Sequence, residues 1–273
     1  MTTVGFQGIR GAFSEAAIYR HFGESVSTKG FDDFEQVFDA VVNGDTEFGV
    51  IAVENSIAGS VSQNYDFFLQ KPVVAIAEIY LPIRHFLLAS RGVQLRDISA
   101  VLSHPMALKQ CDKFLREHQL RQIPEYDTAG AAQIIAEDRS PDHGAIASEL
   151  AARYYDLNIL AGDIQTNQVN MTRFLVISTE PDENQVPEKT SIAFKTHHHP
   201  GALEECLHQL TKNSINLTKI QSRPIPENPW EYVFYADFEG GTQESHVTKA
   251  LDDLRETARY LLLIGSYPKG KRE

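Results

Sequence analysis

The sequence predicts an α/β protein in which a larger domain of two lobes precedes a smaller domain with a different order of elements. Three observations predict this organisation. Apolar strand-like runs alternate with helical patterns over residues 1–180, an alternation typical of α/β folds. Residues 180–188 are charged, contain prolines and have no hydrophobic periodicity, as expected of a linker between domains. Residues 190–268 then follow the order strand, helix, strand, strand, helix, strand.

The first lobe is predicted to combine strands and helices in alternation. Its strands are the apolar runs at residues 4–6, 48–53 and 73–79, and a further strand-like run follows at residues 85–89. Ser14 is placed to cap the first helix, and Asp32 with Glu35 has the spacing of a capping box before the second. Gly44 is suited to end that second helix. A crossover near residues 80–86 leads to the second lobe.

The second lobe repeats the alternation. Its strands are predicted at residues 98–102, 144–147 and 157–160, and its helices at residues 107–117, 130–137 and from 148 to 155. A further strand at residues 172–177 could carry the chain back to the first lobe. Ser148 is placed to cap the last of these helices. Residues 161–172 return the chain to the first lobe. Two lobes joined by two crossings leave a cleft, which is a usual place for a small ligand.

The smaller domain, residues 190–268, has the βαββαβ order of a ferredoxin-like module. Its strands are predicted at residues 191–194, 217–222, 232–238 and 260–264, and its helices around residues 203–210 and at 245–257. Small sheets of this kind commonly pair with a second copy of themselves. We therefore expect a homo-oligomer, either a homodimer or a homotetramer.

Composition excludes several classes of protein. A formal net charge of −12 argues against a nucleic-acid partner, which requires a basic surface. No apolar run approaches the roughly 20 residues needed to span a bilayer, and the first residues lack the basic region and long apolar core of a signal peptide. Cys111 and Cys206 are far apart in predicted helices and resemble packing residues of a reduced protein. These features predict a cytoplasmic enzyme or binding protein without a membrane partner.

The segment of greatest chemical interest is Asn170-Met171-Thr172-Arg173-Phe174, and the residues within it that carry the interest are Thr172, Arg173 and Phe174. They lie where a polar loop enters an apolar strand, so a hydroxyl, a guanidinium and an aromatic ring reach the end of a sheet together. Open α/β sheets tend to hold their ligands at that position. Other polar clusters lie at the ends of predicted strands or the starts of helices: Glu54-Asn55-Ser56 with Ser60, Ser103-His104 with Gln110, and Asp127-Thr128.

Each of these clusters also has a structural interpretation. The segment from Glu54 to Ser60 fits a capped helix start as well as a binding loop, and the Asp127-Thr128 pair fits a helix cap. A single His104 is more often a structural hydrogen-bonding residue than a catalyst. The consecutive histidines at residues 197–199 cannot converge on one face of an element, so we predict no metal site there.

The turn from Gly5 to Ser14 has the spacing G-x-x-G-x-x-G, which differs from the dinucleotide fingerprint G-x-G-x-x-G. A nucleotide is therefore only weakly indicated. A turn that presents its amides to a carboxylate is at least as reasonable, and a purely structural turn is favoured when the segment is considered alone.

Taken in order, these residues resemble the prephenate dehydratase family. The motifs are Gly8-x-x-Gly11-Ala12-Phe13-Ser14, Glu54-Asn55-Ser56-x-x-Gly59-Ser60, Ser103-His104-Pro105, Gln110-Cys111, Asp127-Thr128-Ala129 and Thr172-Arg173-Phe174. The smaller domain resembles the ACT domain of that family. Gln7 departs from the proline of many bacterial members and resembles plant arogenate dehydratases, and Gln221 replaces a usual glutamate.

The resemblance implies a two-lobed, periplasmic-binding-protein-like catalytic domain over residues 1–180. It implies conversion of prephenate to phenylpyruvate, water and carbon dioxide, with no cofactor and no metal. Thr172 is the implied donor to the leaving hydroxyl, Arg173 would orient or pair with a carboxylate, and Phe174 would pack the strand or wall the pocket. Further implied substrate-binding residues are Ser14, Glu54, Asn55, Ser56, Ser60, Ser103, Gln110 and Thr128. Glu54 would orient its neighbours, because a carboxylate is a poor contact for a dianion.

The resemblance also implies feedback regulation by L-phenylalanine at the ACT domain, residues 190–268. The implied effector-binding residues are Gly201, Ala202, Leu203, Asn216, Leu217, Ser222, Arg223 and Pro224. Two alternatives to prephenate dehydratase stay open. One is arogenate dehydratase, which performs the same chemistry on the amino-acid analogue. The other is a non-catalytic amino-acid sensor, which would have no need of the hydroxyl donor Thr172.

Overall fold

The computed structural model describes residues 2–225 and 228–272, with side chains described except at 228–230. The strands are β1 (Thr3–Gln7), β2 (Ser27–Phe31), β3 (Phe48–Asn55), β4 (Gly59–Ser60), β5 (Val74–Pro82), β6 (Phe86–Ala89), β7 (Ala100–Ser103), β8 (Arg121–Pro124), β9 (His143–Ala147), β10 (Asn158–Ala161), β11 (Met171–Ser178), β12 (Lys189–Lys195), β13 (Leu217–Ile225), β14 (Asn228–Glu239) and β15 (Tyr260–Tyr267). The α-helices are α1 (Phe13–Phe22), α2 (Phe34–Val42), α3 (Gln63–Asp66), α4 (Pro105–Gln110), α5 (Asp112–Glu117), α6 (Thr128–Asp138), α7 (Glu149–Tyr154), α8 (Ala202–Lys212) and α9 (Ser245–Thr257). Short 3₁₀ turns lie at Phe67–Leu69 and Leu95–Asp97.

The chain folds into two compact units. The first contains the chain up to Val37, Val50–Ser60 and Tyr80–Phe174, and the second contains Phe38–Gly49, Val61–Ile79 and the chain from Leu175 onward. Strands β3, β5 and β11 contribute residues to both units.

The first unit contains two sheets of the predicted α/β type. One includes the strand run β11-β3-β1-β2, and the other has the order β10-β6-β9-β7-β8. The chain passes from the first sheet to the second across residues 83–85 and returns across residues 162–170. In the second sheet β7 is parallel to both β8 and β9, whereas β6 is antiparallel to β9 and β10. The sheet is therefore mixed, as expected where a chain enters and leaves by crossovers.

The core of this second sheet explains its continuous apolar sequence. Strands β6, β7 and β9 are almost wholly buried. One apolar cluster, which includes Leu87 and Val101, packs with helices α4 and α5, and another, which includes Leu88 and Ala145, packs with α6 and α7. A strand covered on both faces needs apolar residues at every position, not at alternate ones.

The second unit contains the strand order β13-β14-β12-β15-β5. The element order β12-α8-β13-β14-α9-β15 confirms the predicted βαββαβ order. Helices α8 and α9 bury Leu210, Val247 and Leu254 with Ile192 and Phe194 of β12. This apolar cluster forms the core of the smaller α/β region.

Strand β15 pairs in parallel with β5 through Gly265 and Ala75. A Cβ atom at Gly265 would lie 2.1 Å from the carbonyl oxygen of Ala75. Glycine is therefore required for the two backbones to approach.

Several local predictions differ from the structure. Ser14 does not cap α1, because the helix begins at Phe13 with Ala12 as its N-cap. The predicted Asp32–Glu35 pair is displaced by one residue, since Asp33 accepts from the backbone amide of Gln36 at 2.9 Å. Aspartate one residue nearer the first helical turn has the geometry to accept from that amide.

The predicted helix over residues 107–117 is two helices, α4 and α5. Cys111 interrupts them at φ −102° and ψ 10°. By contrast, Ser148 caps α7 as predicted and accepts from the amide of Ala151 at 3.0 Å.

Both cysteines are unpaired and buried, and burial raises the pKa of the Cys111 thiol to about 12. No helix within residues 2–225 and 228–272 is long and apolar enough to cross a bilayer.

Candidate active site

The hydroxyl of Thr172 lies beside the side chain of Asn55, which joins the end of β3 to the start of β11. Asn55 Nδ2 is 2.9 Å from Thr172 Oγ1 and 2.8 Å from Asn170 Oδ1. Asn55 Oδ1 accepts from the backbone amides of Ile57 and Ala58 at 3.0 and 2.8 Å. Because a backbone amide can only donate, the Asn55 oxygen must face the loop and its nitrogen must face Thr172. Thr172 Oγ1 is therefore an acceptor in this contact.

The same network continues to the second sheet of the unit. Asn170 Nδ2 donates to Gln110 Oε1 at 3.0 Å, and His85 Nε2 lies 2.8 Å from the same oxygen. The loop over residues 162–170 also holds both partners, since Gln165 Oε1 accepts from the His85 amide and Thr166 donates its amide to the Gln110 carbonyl. The crossover segments and α4 thus converge on one set of amide side chains.

His85 is the titratable member of this network. Its side chain is 2% exposed, and burial lowers the pKa of its imidazole from the ordinary value. The ring of Phe13 packs edge-on against it with centroids 5.4 Å apart. A neutral imidazole has one donor and one acceptor nitrogen, so its contact with Gln110 Oε1 places the hydrogen on Nε2.

Ser56 and Glu54 support the same strand end. Ser56 accepts the Met171 amide on its hydroxyl at 3.0 Å and donates its own amide to the Met171 carbonyl at 2.9 Å. Glu54 Oε2 lies 3.9 Å from Nη1 of Arg173, whose side chain is 4% exposed. This geometry fits the prediction that Glu54 orients a neighbour, and the neighbour is Arg173.

Phe174 is buried in the core of the unit at 2% exposure. Of its two predicted roles, strand packing fits this burial. Ser60 Oγ lies 3.4 Å from the Val53 carbonyl, so it supports the β3–β4 hairpin.

The remaining predicted substrate-binding residues form no described hydrogen bond to Thr172, Asn55 or Gln110. Ser103 is fully buried and donates its hydroxyl proton to the Ile146 carbonyl at 2.6 Å. Ser14 lies in the first turn of α1. Thr128 is the first residue of α6, whose N-cap is Asp127. The helix-cap interpretation of the Asp127-Thr128 pair therefore fits its geometry.

The glycine-rich turn between β1 and α1 is held by packing. Gly11 has φ +89°, and a Cβ atom there would lie 2.7 Å from the Cα atom of Ala151. Its amide donates to the buried carboxylate of Glu15 at 2.6 Å, and its carbonyl accepts from Ser148 at 2.6 Å. Since the Gly11 amide is already paired, the structural interpretation of this turn fits better than a carboxylate-binding one.

A cavity of about 380 Å³ opens beside Gln110. Its walls combine apolar side chains with three cations and one carboxylate: Ile57, Met106, Lys109, Lys113, Arg116 and Asp112. Lys113 and Arg116 face Glu117 and Asp112, whereas no ion pair of Lys109 occurs in the described part of the chain. The cavity therefore offers local positive charge in a protein of net charge −12.

Three functional candidates were not predicted from the sequence: His85, Asn170 and Gln165. The only sequence signal for His85 is a polar residue between apolar runs, and Asn170 is one of many polar residues in its loop. Their importance comes from partners up to 115 residues away in the chain.

The residues of the implied effector motifs lie in the second unit. Gly201 is the N-cap of α8 at φ +89°, and residues 196–204 line a cavity of about 490 Å³. Asn216 donates to Glu239 at 3.1 Å. The guanidinium of Arg223 donates to Asp66 of α3 and to Ser62, the residue that precedes this helix.

Among the residues that the structure describes, no group of three His, Cys, Asp or Glu side chains could hold a metal ion.

Both a family description and individual relatives relate this chain to dehydratases. The family description of prephenate dehydratase matches residues 4–182. The chain is 40% identical over 277 residues to arogenate dehydratase/prephenate dehydratase 2 (chloroplastic) of Arabidopsis thaliana, covering 97% of this chain and 72% of that protein.

Two solved structures resemble the whole chain. Prephenate dehydratase of Arthrobacter aurescens in complex with L-Phe has a TM-score of 0.90 and 30% identity, and covers 100% of this chain and 91% of its own. A protein described as a novel type of quorum quenching acylase has a TM-score of 0.91 and 30% identity, and covers 98% of both chains. The family match over residues 4–182 and the similarity over nearly the full length show that this chain belongs to the prephenate dehydratase family.

Proposed function

We propose that this protein is a prephenate dehydratase, which converts prephenate to phenylpyruvate, water and carbon dioxide in the biosynthesis of L-phenylalanine. Membership of the family gives the reaction class. The observation that carries the proposal is the polarity of the contact between Asn55 and Thr172. Because Asn55 donates to Thr172 Oγ1, the threonine's own proton is available to another acceptor.

The reaction needs one strong hydrogen-bond donor. Carbon dioxide leaves ring carbon one while hydroxide leaves carbon four. The electrons of the broken carbon–carbon bond enter the π system of the ring, which becomes aromatic, and the electrons of the broken carbon–oxygen bond leave with the oxygen. A donor at that oxygen lowers the barrier by neutralising its developing charge. Donation from Asn55 polarises the Thr172 hydroxyl and makes it a stronger donor. A threonine hydroxyl is a poor acid in water, so this effect requires a site from which water is excluded.

Neutral donors suit the substrate, which is a dianion. A tight salt bridge to the departing carboxylate would stabilise the ground state and oppose its loss. Gln110 receives two hydrogen bonds on its oxygen, which turns its amide hydrogens toward other acceptors. We assign those hydrogens to a substrate carboxylate or to the keto group. Arg173 pairs with Glu54 at the strand end, and in this proposal Glu54 orients its guanidinium.

Arogenate is the second candidate substrate. A relative at 40% identity carries both dehydratase names, and Gln7 matches plant arogenate dehydratases. Gln7 donates to the Asp32 carbonyl at 3.3 Å, so it links the end of β1 to the connection between β2 and α2. We propose prephenate as the main substrate because the matching family is that of prephenate dehydratase.

Two other functions are disfavoured by the same geometry. A non-catalytic sensor would have no need to orient a hydroxyl donor. An acylase of the nucleophilic type requires a base that accepts the nucleophile's proton. In the described contacts, the amide of Asn55 donates a hydrogen bond to the hydroxyl oxygen of Thr172. This contact makes the hydroxyl a better proton donor and a weaker nucleophile.

The test is a turnover assay of the purified protein with prephenate and, separately, arogenate, without added metal or nucleotide. Phenylpyruvate formed from prephenate supports the main proposal. A strong preference for arogenate would identify arogenate as the substrate and leave the proposed chemistry unchanged. No product from either substrate, with folded protein, contradicts the proposal.

We further propose that residues 190–268 form an ACT domain, which binds L-phenylalanine between subunits of a homodimer or homotetramer. One solved relative is a prephenate dehydratase in complex with L-Phe, and the βαββαβ element order fits such a module. The effector would lie between Gly201-Ala202-Leu203 of one subunit and Asn216-Leu217 of its partner. Ser222, Arg223 and Pro224 would support this site from β13. We place the enzyme in the cytoplasm, since both of its cysteines are unpaired and buried.

A further inference from the structure

We propose that His85 and Asn170 are positioning residues that fix the direction of a hydrogen-bond chain ending at Thr172. The chain runs from His85 through Gln110, Asn170 and Asn55 to the Thr172 oxygen. Its role is to keep the Thr172 proton directed away from the protein. This inference rests on the proposed function, in which Thr172 donates that proton.

The direction of the chain is set at the Asn55 end by two backbone amides. Ile57 and Ala58 donate to Asn55 Oδ1, so Asn55 presents hydrogens to Asn170 and Thr172. Asn170 must then place its oxygen toward Asn55 and its nitrogen toward Gln110. Each amide therefore determines the orientation of the next one.

At the other end, Gln110 Oε1 accepts from both Asn170 and His85. His85 must carry its hydrogen on Nε2, which leaves Nδ1 as an acceptor. Nδ1 is buried and has no hydrogen-bond partner among the described residues. A protonated imidazole would carry an unpaired N–H at that position, and burial lowers the pKa accordingly. Both features favour one neutral tautomer.

A reversed amide would disable the donor. If Asn55 turned its oxygen toward Thr172, the threonine would donate to that oxygen and its proton would no longer face the substrate. Asn170 opposes this reversal together with the two backbone amides. Its oxygen accepts a hydrogen bond from the Asn55 nitrogen and would repel the oxygen of a reversed Asn55. The hydrogen-bond chain thus holds the side chains in place and also determines the direction in which the Thr172 proton points.

The decisive variant is Asn170→Asp. An ionised aspartate accepts from Asn55 but cannot donate to Gln110, so two oxygens face each other. A protonated aspartate restores the donor. The groups around position 170 are the neutral amides of Asn55 and Gln110, with His85 beyond Gln110 and the Arg173–Glu54 pair on the adjoining strand ends.

We expect Asn170→Asp to lower kcat at pH 8 by roughly 10- to 100-fold, the effect of one unmade buried hydrogen bond. Its kcat should rise relative to wild type as the pH falls toward 5, whereas KM changes less. Asn158→Asp, an exposed position at the start of β10, is the matched control and should follow the wild-type profile. A loss of kcat with the wild-type pH profile, or no loss, would overturn the proposal.

A second pair of variants serves if Asn170→Asp does not fold. The amide nitrogen of glutamine reaches the place of His85 Nε2, so His85→Gln should retain kcat within about 3-fold of wild type, while His85→Leu should lose about 10-fold or more. Equal kcat values for folded His85→Gln and folded His85→Leu would contradict the proposed direction of the hydrogen-bond chain.

Nitrogen-15 NMR of His85 separates this inference from the proposed function, because it requires no turnover. We expect the neutral Nε2–H tautomer at pH 8. The Nδ1–H tautomer would refute the chain even in an active enzyme. Inactivity of wild type toward prephenate would instead refute the proposed function.

Discussion

At the scale of single residues, the site depends on hydrogen-bond direction more than on charge. Thr172, Asn55 and Gln110 were predicted from the sequence, and the structure joins them through Asn170. Asn170 could not be distinguished from its polar neighbours in the sequence, because its partners lie 60 and 115 residues away. The residue types were therefore predictable, whereas the polarity of their contacts was not.

Lys109 gives a prediction at this scale. It lines the cavity beside Gln110, and no ion pair of it is described. We expect Lys109→Gln to raise KM for the dianionic substrate by about 2- to 5-fold, the effect of one exposed charge contact, with kcat little changed. Added salt should reduce this difference, since screening weakens exposed charges. Steady-state kinetics at two salt concentrations measure it, with exposed Lys271→Gln as control. An unchanged KM contradicts the charge role of Lys109.

At the scale of elements, the pattern of apolar residues predicted the helices and strands whose side chains are buried. Strand β9 and helix α9 were located well, because one is continuously apolar and the other has apolar residues at helical spacing. Strands β2 and β8 were not predicted, since most of their side chains are exposed. These edge strands are held by backbone pairing to β1 and β7, and side-chain pattern carries little information about such pairing.

The β1–α1 turn gives a prediction about stability. Gly11→Ala places a Cβ atom 2.7 Å from the Cα atom of Ala151 at a positive φ. Gly92→Ala is the matched control, because Gly92 has φ +87° with nothing within 4 Å of the added atom. We expect the control to lose about 1–2 kcal/mol from backbone strain alone, and Gly11→Ala to lose more. Denaturant unfolding measures both. Equal losses would show that the contact with α7 does not constrain the turn.

At the scale of the whole molecule, regulation requires a connection between effector and catalytic segments. Within the second unit, Arg223 and Tyr235 both donate to Asp66 of α3. Helix α3 follows the β3–β4 hairpin in the chain, and that hairpin carries Asn55. The position of Arg223 was predicted only as an effector motif, because its partner Asp66 is 157 residues away.

Asn216→Ala tests the proposed regulation. We expect it to raise the phenylalanine concentration for half-inhibition at least about 5-fold, which corresponds to loss of the lower range of allosteric coupling. kcat without phenylalanine should remain unchanged. Inhibition curves measure this, with Asn184→Ala in the segment before β12 as control. Unaltered inhibition in a folded variant would remove Asn216 from the effector site.

Donation of a proton by Thr172 to the leaving oxygen is tested by comparing kcat of Thr172→Ala and Thr172→Ser with prephenate. We expect kcat to fall by roughly 10²–10⁴-fold for alanine, as for removal of a general acid, with little change in KM. Serine retains the hydroxyl and should recover most of the activity. Near-normal turnover of folded Thr172→Ala would contradict the account.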